Sequence, residues 1–143
     1  MTTIAYKDGI IAYDARITRG NQIVYDDFDK CLERDGVQFV CSGGTSDFDK
    51  IVSAYFGGEV SDCSAVALIV TEGAIWHSAV DENTGFWKSP LMLDKPYALG
   101  SGTEHALTAM DMGASAYQAV EMAMKRDSCT GGKIRTLTVK VEQ

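Results

Sequence analysis

The order of the predicted secondary-structure elements most constrains what this chain can fold into. Runs of apolar and β-branched residues typical of strands come first, and one helix then separates them from further strands. Two adjacent helices precede a last strand, and turn sequences such as Asp8-Gly9 join neighbouring strand runs as in hairpins. Because strands and helices do not alternate regularly, a doubly wound parallel sheet is disfavoured. We expect an α+β fold in which helices cover mostly antiparallel sheets.

Strands are predicted where apolar residues alternate, or run continuously, between turn residues. They span Thr2–Tyr6, Ile10–Tyr13, Gln22–Phe28, Val37–Ser42, Ser64–Thr71, Ala74–Ser78, Tyr97–Leu99 and Lys133–Val141, with a looser hairpin-like stretch up to Trp87. Three helices are predicted from apolar residues at helical spacing. The first begins near Thr45 or Ser46 and ends at Gly57-Gly58, and the others span Thr103–Met112 and about Ala114–Arg126.

Length, charge and composition restrict the class of protein. The 143 residues suit a single domain spanning residues 1–143. A net charge of −7 without a cluster of Lys and Arg disfavours nucleic acid and anionic membranes as partners. No signal-like apolar region follows Met1, and no apolar run reaches about 18 residues, so we expect a soluble cytoplasmic protein. The four cysteines show no CxxC spacing, which favours reduced, packed thiols.

The start of the chain contains residues that can carry covalent chemistry. If Met1 is removed, Thr2 presents a hydroxyl nucleophile and a free α-amine on one residue. Such an amine is partly neutral near pH 7, and a nearby ammonium would lower its pKa further. Lys30 is a candidate for that ammonium and Asp14 for the carboxylate that orients it. On spacing alone, the favoured interpretation is that Asp14 ends a strand and Lys30 is a solvated surface charge.

Motifs of one known family occur along nearly the whole chain and in the family's order. They lie at Thr2–Ile4, Asp14–Gly20, Lys30, Ser42–Asp47, Gly100–Gly102 and Lys125–Gly132. Asp14–Gly20 reads D-x-R-x-T-x-G, Gly100–Gly102 reads G-S-G, and Lys30 follows Asp14 by sixteen positions. On these segments the chain resembles the β-type subunits of the proteasome and the bacterial HslV-type peptidase. The resemblance implies an N-terminal-nucleophile (Ntn) hydrolase with a four-layer αββα fold.

The resemblance also implies catalytic roles. Thr2 would be the nucleophile of a threonine-type endopeptidase that forms an acyl-enzyme ester. Its own α-amine, once Met1 is removed, would be the general base, acting through a water. Lys30 would lower the pKa of that amine, held in place by Asp14.

Further roles fall on residues later in the chain. Ser101, Asp127 and Thr130 would support the α-amine and the hydroxyl of Thr2. The family usually has Ser where this chain has Thr130, and the hydroxyl is kept. Thr18 would bind the substrate backbone as an added strand.

The oxyanion-hole donor is not assigned to one residue. Family members use a Gly amide five positions before the residue that matches Thr45, and that count gives Val40. A shifted loop would bring Ser42 or Gly43 into the role instead. Losing one such donor typically costs a factor of 10²–10³ in rate.

The resemblance implies partners but no cofactor. It implies a homo-oligomeric ring of six or seven subunits, usually as two stacked rings, and an ATP-driven unfoldase of the AAA type. The sequence contains no P-loop, so any ATPase is a separate chain. A metal site is not expected, since His77 and His105 have no Cys or carboxylate in ligand spacing. The Asp127–Gly132 loop could expose carbonyls to a cation such as Na⁺ or Mg²⁺.

Two other functions stay open at this point. One is a catalytically silent, proteasome-like ring or interaction scaffold, which a retained Met1 and the Val at position 40 would favour. The other is an Ntn amidase acting on a small amide, which would need a closed pocket. The sequence gives neither the substrate preference nor the ring size.

Overall fold

The computed structural model describes residues 2–60 and 62–139. Its strands are β1 (Thr3–Lys7), β2 (Ile10–Tyr13), β3 (Ile17–Arg19), β4 (Gln22–Tyr25), β5 (Cys31–Arg34), β6 (Val37–Ser42), β7 (Val66–Thr71), β8 (Ala74–Asp81), β9 (Gly85–Pro90), β10 (Tyr97–Gly100) and β11 (Arg135–Thr138). Its helices are α1 (Phe48–Tyr55), α2 (Thr103–Asp111) and α3 (Ala116–Arg126), and a 3₁₀ turn at Thr45–Asp47 precedes α1. The chain divides into two compact units, one of which is Cys31–Leu91.

The other unit comprises the described residues up to Lys30 and from Met92 onward. Four of its strands form an antiparallel sheet in the order β10-β1-β2-β11, and β3 pairs with β4 in a separate hairpin. The predicted turn between β1 and β2 is confirmed. Asp8 and Gly9 both have positive φ angles, 51° and 80°, which suits a two-residue hairpin loop.

Small side chains let helices α2 and α3 pack against this sheet. The buried cluster contains six alanines, together with Met110 and Val120 (Ala5, Ala12, Ala98, Ala106, Ala116 and Ala119). Lys7 of β1 donates from Nζ to the carbonyls of Met110 at 3.2 Å and Ala114 at 2.9 Å, at the carboxyl end of α2. A cation there offsets the negative end of the helix dipole. Both predicted helices are confirmed.

The Cys31–Leu91 unit is a five-stranded antiparallel sheet in the order β5-β6-β7-β8-β9. Helix α1 has a buried face that includes Phe48, Ile51 and Val52. The prediction of this helix is confirmed. The looser stretch predicted up to Trp87 is a regular β8–β9 hairpin. In its turn the Asp81 carboxylate accepts the backbone N–H groups of Asn83 and Thr84.

The antiparallel α+β class is confirmed, and the differences concern short or exposed strands. The sequence prediction missed β3 and β5, which have only three and four residues. The strand predicted at Gln22–Phe28 ends at Tyr25 in the structure. The last strand, predicted at Lys133–Val141, is observed over Arg135–Thr138, and its predicted end at Val141 lies outside the described residues. The four-layer stacking and the single domain stay predictions. Among the described residues, no helix is long and apolar enough to cross a membrane.

A capping box begins helix α3 and gives a test of this part of the fold. The Ser115 side chain accepts the Gln118 N–H at 3.1 Å, and the Gln118 side chain accepts the Ser115 N–H at 3.0 Å. We expect Ser115→Ala to lower the free energy of unfolding by about 1 kcal/mol, because an N–H in the first turn loses its acceptor. Ser115→Asp, which keeps a capping oxygen, should stay close to wild type. Urea denaturation measures both, and equal loss in the two variants would contradict the capping role.

Candidate active site

The pairing of β1 with β2 places Asp14 beside the start of the chain. Ile4 and Tyr13 are paired across the two strands, so Thr3 lies opposite Asp14. The Asp14 N–H donates to the Thr3 carbonyl at 3.3 Å, and the Thr3 N–H donates to Asp14 Oδ1 at 3.1 Å. The Asp14 side chain is completely buried. The carboxylate is therefore held at the amino end of β1 by backbone contacts in both directions.

Four donors satisfy the buried carboxylate of Asp14. Oδ1 accepts the Thr3 N–H and the Lys30 ammonium, the latter at 2.8 Å. Oδ2 accepts the N–H groups of Gly131 at 2.9 Å and Arg16 at 3.3 Å. Hydrogen bonds to both oxygens offset the cost of burying a carboxylate. Asp14 thus joins the start of β1, directly after Thr2, to the loop that contains Gly131.

Lys30 connects this carboxylate to the candidate nucleophile. Its side chain is fully buried, and Nζ donates to Thr2 Oγ1 at 2.9 Å as well as to Asp14. Burial lowers the pKa of Lys30, and the interaction with Asp14 opposes that effect in part. An ammonium at this distance favours negative charge on the Thr2 hydroxyl oxygen. The interpretation of Lys30 as a solvated surface charge is therefore wrong.

A second group of polar side chains surrounds Asp127. Ser101 and Thr130 donate from their hydroxyls to Asp127 Oδ2 at 2.5 and 2.7 Å, and the Cys129 N–H donates to Oδ1 at 3.1 Å. Partial burial raises the pKa of Asp127, but these three hydrogen bonds outweigh it and leave the pKa below its ordinary value. Thr130 Oγ1 lies 2.7 Å from Thr3 Oγ1. Thr3, Ser101 and the 127–130 segment, which are distant in sequence, thus meet here.

Arg16 fastens the loop that carries this second group, a role that the sequence did not reveal. Its Nη1 donates to the Ser128 carbonyl at 2.9 Å, and its Nε and Nη2 donate to the two carboxylate oxygens of Asp26 at 2.8 and 3.2 Å. A side chain at Gly131 would collide with the guanidinium. The acidic run near Asp26 was a usable signal, since Arg16 is a cation within the D-x-R motif.

The predicted substrate-binding residues lie on other elements. Thr18 is half-buried on β3, at a register irregularity opposite β4. Gly43 belongs to the Cys31–Leu91 unit and follows β6, with a φ of 107° that favours glycine. Val40 instead lies inside β6, paired with Cys31 on one side and Leu68 on the other. Since Val40 sits in a strand paired on both sides, Gly43 is the better candidate for a free backbone donor, and both roles stay predictions.

Metal binding receives little support from the described residues. They contain no group of three or more His, Cys, Asp and Glu side chains placed to hold an ion. In the 127–132 loop, the carbonyls of Asp127, Ser128 and Gly131 already accept hydrogen bonds from Thr130, Arg16 and Ala15. A cation at this loop stays a prediction.

Comparison with solved structures identifies the fold. The BPH protein of Thiobacillus denitrificans, in a structure described as a complex with epoxomicin, aligns with a TM-score of 0.70 and 18% sequence identity over 99% of both chains. A second structure of the same protein aligns with a TM-score of 0.69, also with 18% sequence identity over 99% of both chains. Eukaryotic HslV from Trypanosoma brucei gives 0.68 with 15% identity, covering 96% of this chain and 98% of its own. The chain therefore has the fold of HslV-type proteasome subunits.

Sequence comparisons do not extend this result. No protein-family model matches the chain, and no curated protein sequence matches it significantly.

The buried ion pair predicts unequal effects of removing its two members. We expect Asp14→Ala to lower the free energy of unfolding by about 3–5 kcal/mol, because it leaves the Lys30 ammonium buried without a counter-ion. Lys30→Met should cost less, because Asp14 keeps three backbone N–H donors. Urea denaturation compares the two, with the exposed Asp111→Ala as control. A larger loss in Lys30→Met would mean that the backbone donors do not support the carboxylate.

Asp127 predicts a pH dependence of stability. Its pKa is lowered on folding, so it stabilises the folded state above its ordinary value near 3.8, and this contribution is lost as the pH falls through the lowered pKa. We expect Asp127→Asn to be less stable than wild type at pH 7, with a difference that shrinks below about pH 4. Urea denaturation from pH 7 to pH 3 measures this difference. A difference that stays constant from pH 7 to pH 3 would exclude a lowered pKa for Asp127.

Proposed function

We propose that this chain is the catalytic subunit of an HslV-like threonine peptidase and cleaves peptide bonds through Thr2 after removal of Met1. The contact from the buried Lys30 ammonium to Thr2 Oγ1, at 2.9 Å, is the observation that carries the proposal. Burying a cation costs free energy, and Asp14 offsets that cost by forming a buried ion pair with Lys30. Met1 itself lies outside the described residues.

The reaction follows from the groups around Thr2. Its Oγ1 attacks the carbonyl carbon of the scissile peptide bond while its proton passes to the α-amine. The Lys30 ammonium stabilises negative charge on the attacking oxygen, and a backbone N–H, for which we propose Gly43, stabilises the oxyanion. The C–N bond then breaks and the leaving amine takes the proton. Water, activated by the same α-amine, hydrolyses the resulting ester and restores Thr2.

Supporting roles go to the second polar group and to β3. We assign Ser101, Asp127 and Thr130 to holding the Thr2 α-amine, in line with their connection through Thr3 to the start of the chain. Thr18 is assigned to the substrate backbone as an added strand, a mode that favours extended polypeptides over small amides.

The proposed assembly is a cytoplasmic homo-oligomeric ring of six or seven copies, served by a separate AAA-type ATPase. The structural likeness to HslV from Trypanosoma brucei supports it, and so does the aligned coverage of nearly the whole of each chain. Native mass spectrometry of the purified chain measures the number of copies, and a monomer at micromolar concentration would argue against the ring.

Covalent labelling tests the proposed nucleophile. One relative of the same fold is described in complex with epoxomicin, an epoxyketone that suits a residue bearing both a hydroxyl and an α-amine. We expect protein whose intact mass shows loss of Met1 to gain one epoxomicin per chain at Thr2. Thr2→Ala should abolish labelling and should lower the rate of peptide cleavage by at least about 10³-fold. Thr2→Ser should keep labelling, and exposed Thr108→Ala should behave as wild type.

Two outcomes would favour the scaffold instead. One is complete retention of Met1 in the native host. The other is protein without Met1 that takes up no inhibitor and cleaves peptides no faster than Thr2→Ala. Intact mass measures the retention of Met1 and the uptake of inhibitor, and a fluorogenic peptide assay measures cleavage. Neither outcome would change the assignment of the fold.

A further inference from the structure

Thr3, the residue after the proposed nucleophile, contacts both polar groups of the site. Its backbone N–H and carbonyl are bonded to Asp14, which belongs to the ion pair with Lys30. Its side-chain hydroxyl lies 2.7 Å from Thr130 Oγ1 in the group around Asp127. Thr3 is completely buried, as is Thr130. One residue therefore links the two groups, through its backbone on one side and its side chain on the other.

The direction of the hydrogen bonds along this link follows from Asp127. An ionised carboxylate only accepts, so the single hydroxyl hydrogen of Thr130 is committed to Asp127 Oδ2 at 2.7 Å. Thr130 Oγ1 is then an acceptor toward Thr3, and the Thr3 hydroxyl must be the donor. The resulting chain runs from Thr3 to Thr130 to Asp127, while Ser101 donates to the same Asp127 oxygen.

Close packing fixes the position of the Thr3 hydroxyl. A side chain at Gly102 would overlap Thr3 Oγ1 and would come within 2.9 Å of the Ala123 Cβ. A side chain at Gly100, which faces Thr3 across the β1–β10 pair, would overlap the Thr2 carbonyl. Two residues without side chains therefore make room for the start of β1, and the Thr3 hydroxyl lies in a space formed by the G-S-G segment.

We propose that Thr3 is a positioning residue whose hydroxyl orders the Thr130–Asp127–Ser101 group against the Thr2 α-amine. This inference rests on the proposed function, and Thr3 itself does not touch the reacting atoms. With one lone pair of Thr130 Oγ1 occupied by Thr3, the second lone pair is left for the amine that the proposed function places here. Without the Thr3 donor, Thr130 Oγ1 is buried with an empty acceptor site and can turn its hydrogen away from Asp127.

A matched pair of variants tests the hydroxyl separately from the packing. Thr3→Val keeps the shape and removes the donor, whereas Thr3→Ser keeps the donor and removes a methyl group. In protein without Met1, we expect Thr3→Val to slow epoxomicin labelling of Thr2 roughly three- to tenfold. Thr3→Ser should stay within about twofold of wild type, and exposed Thr108→Val should be unchanged. Far-UV circular dichroism confirms that each variant is folded.

A second readout does not depend on activity. We expect a ¹³C NMR titration to show the pKa of Asp127 rising toward its ordinary value in Thr3→Val and staying low in Thr3→Ser, because a hydrogen-bonded chain polarises its members. Lys30, Arg16 and Asp14 are charged side chains near this region among the described residues, and all three are present in every variant. An unchanged labelling rate in Thr3→Val, or an unchanged pKa of Asp127 in that variant, would overturn the inference.

The two failures are distinguishable. If wild-type protein without Met1 is not labelled, the proposed function fails, and the positioning role toward the amine fails with it, whatever the titration shows. If wild type is labelled and Thr3→Val is labelled at the same rate, the proposed function stands and Thr3 contributes packing alone.

Discussion

The buried ion pair of Asp14 and Lys30 is the interaction on which the rest of the site depends. Removing two charges from water is costly, and their mutual attraction compensates only when the remaining hydrogen-bonding capacity is also satisfied. Here the carboxylate accepts backbone N–H groups from three separate places in the chain, and the ammonium has a second acceptor in Thr2. The pair therefore holds β1, the segment after β2 and the 127–132 loop together at one point.

Small residues make this convergence possible. Gly131 donates its N–H to Asp14, and a side chain at Gly131 would overlap the Arg16 guanidinium. Gly132 has a φ of 76° and would carry a side chain into the Asp26 carbonyl. Gly100 and Gly102 likewise leave space, because a side chain at either position would overlap atoms of Thr2 or Thr3. These glycines occur in two of the segments that carry the family resemblance, Gly100–Gly102 and Lys125–Gly132. Glycine at these positions therefore permits close approach of the backbone, in addition to any role in the chemistry.

The sequence predicted the elements whose apolar pattern is long or is bounded by turn residues, and it missed the others. Helix α1 has a clear apolar face with glycines after it, whereas β3 has three residues and is half exposed, so neither period nor burial marks it. Asp14 and Lys30 were named as helpers of Thr2 only through the family motifs, because their spacing alone favoured a strand end and a surface charge. The link through Thr3 and the fastening by Arg16 escaped prediction because both depend on pairs more than 100 positions apart.

The geometry around Thr2 also explains why the amine matters so much. Lys30 donates hydrogens to both Thr2 and Asp14, and is therefore not placed to take the Thr2 proton. Asp14 accepts hydrogen bonds from four donors, so its oxygens are already engaged. Asp127 has a lowered pKa and three donors of its own, which makes it a weak base. Of the groups described around Thr2, all are suited to stabilising charge and none to accepting a proton. Under the proposed function the α-amine would supply the missing base, and the peptide bond between Met1 and Thr2 would have to be cleaved before the site could react.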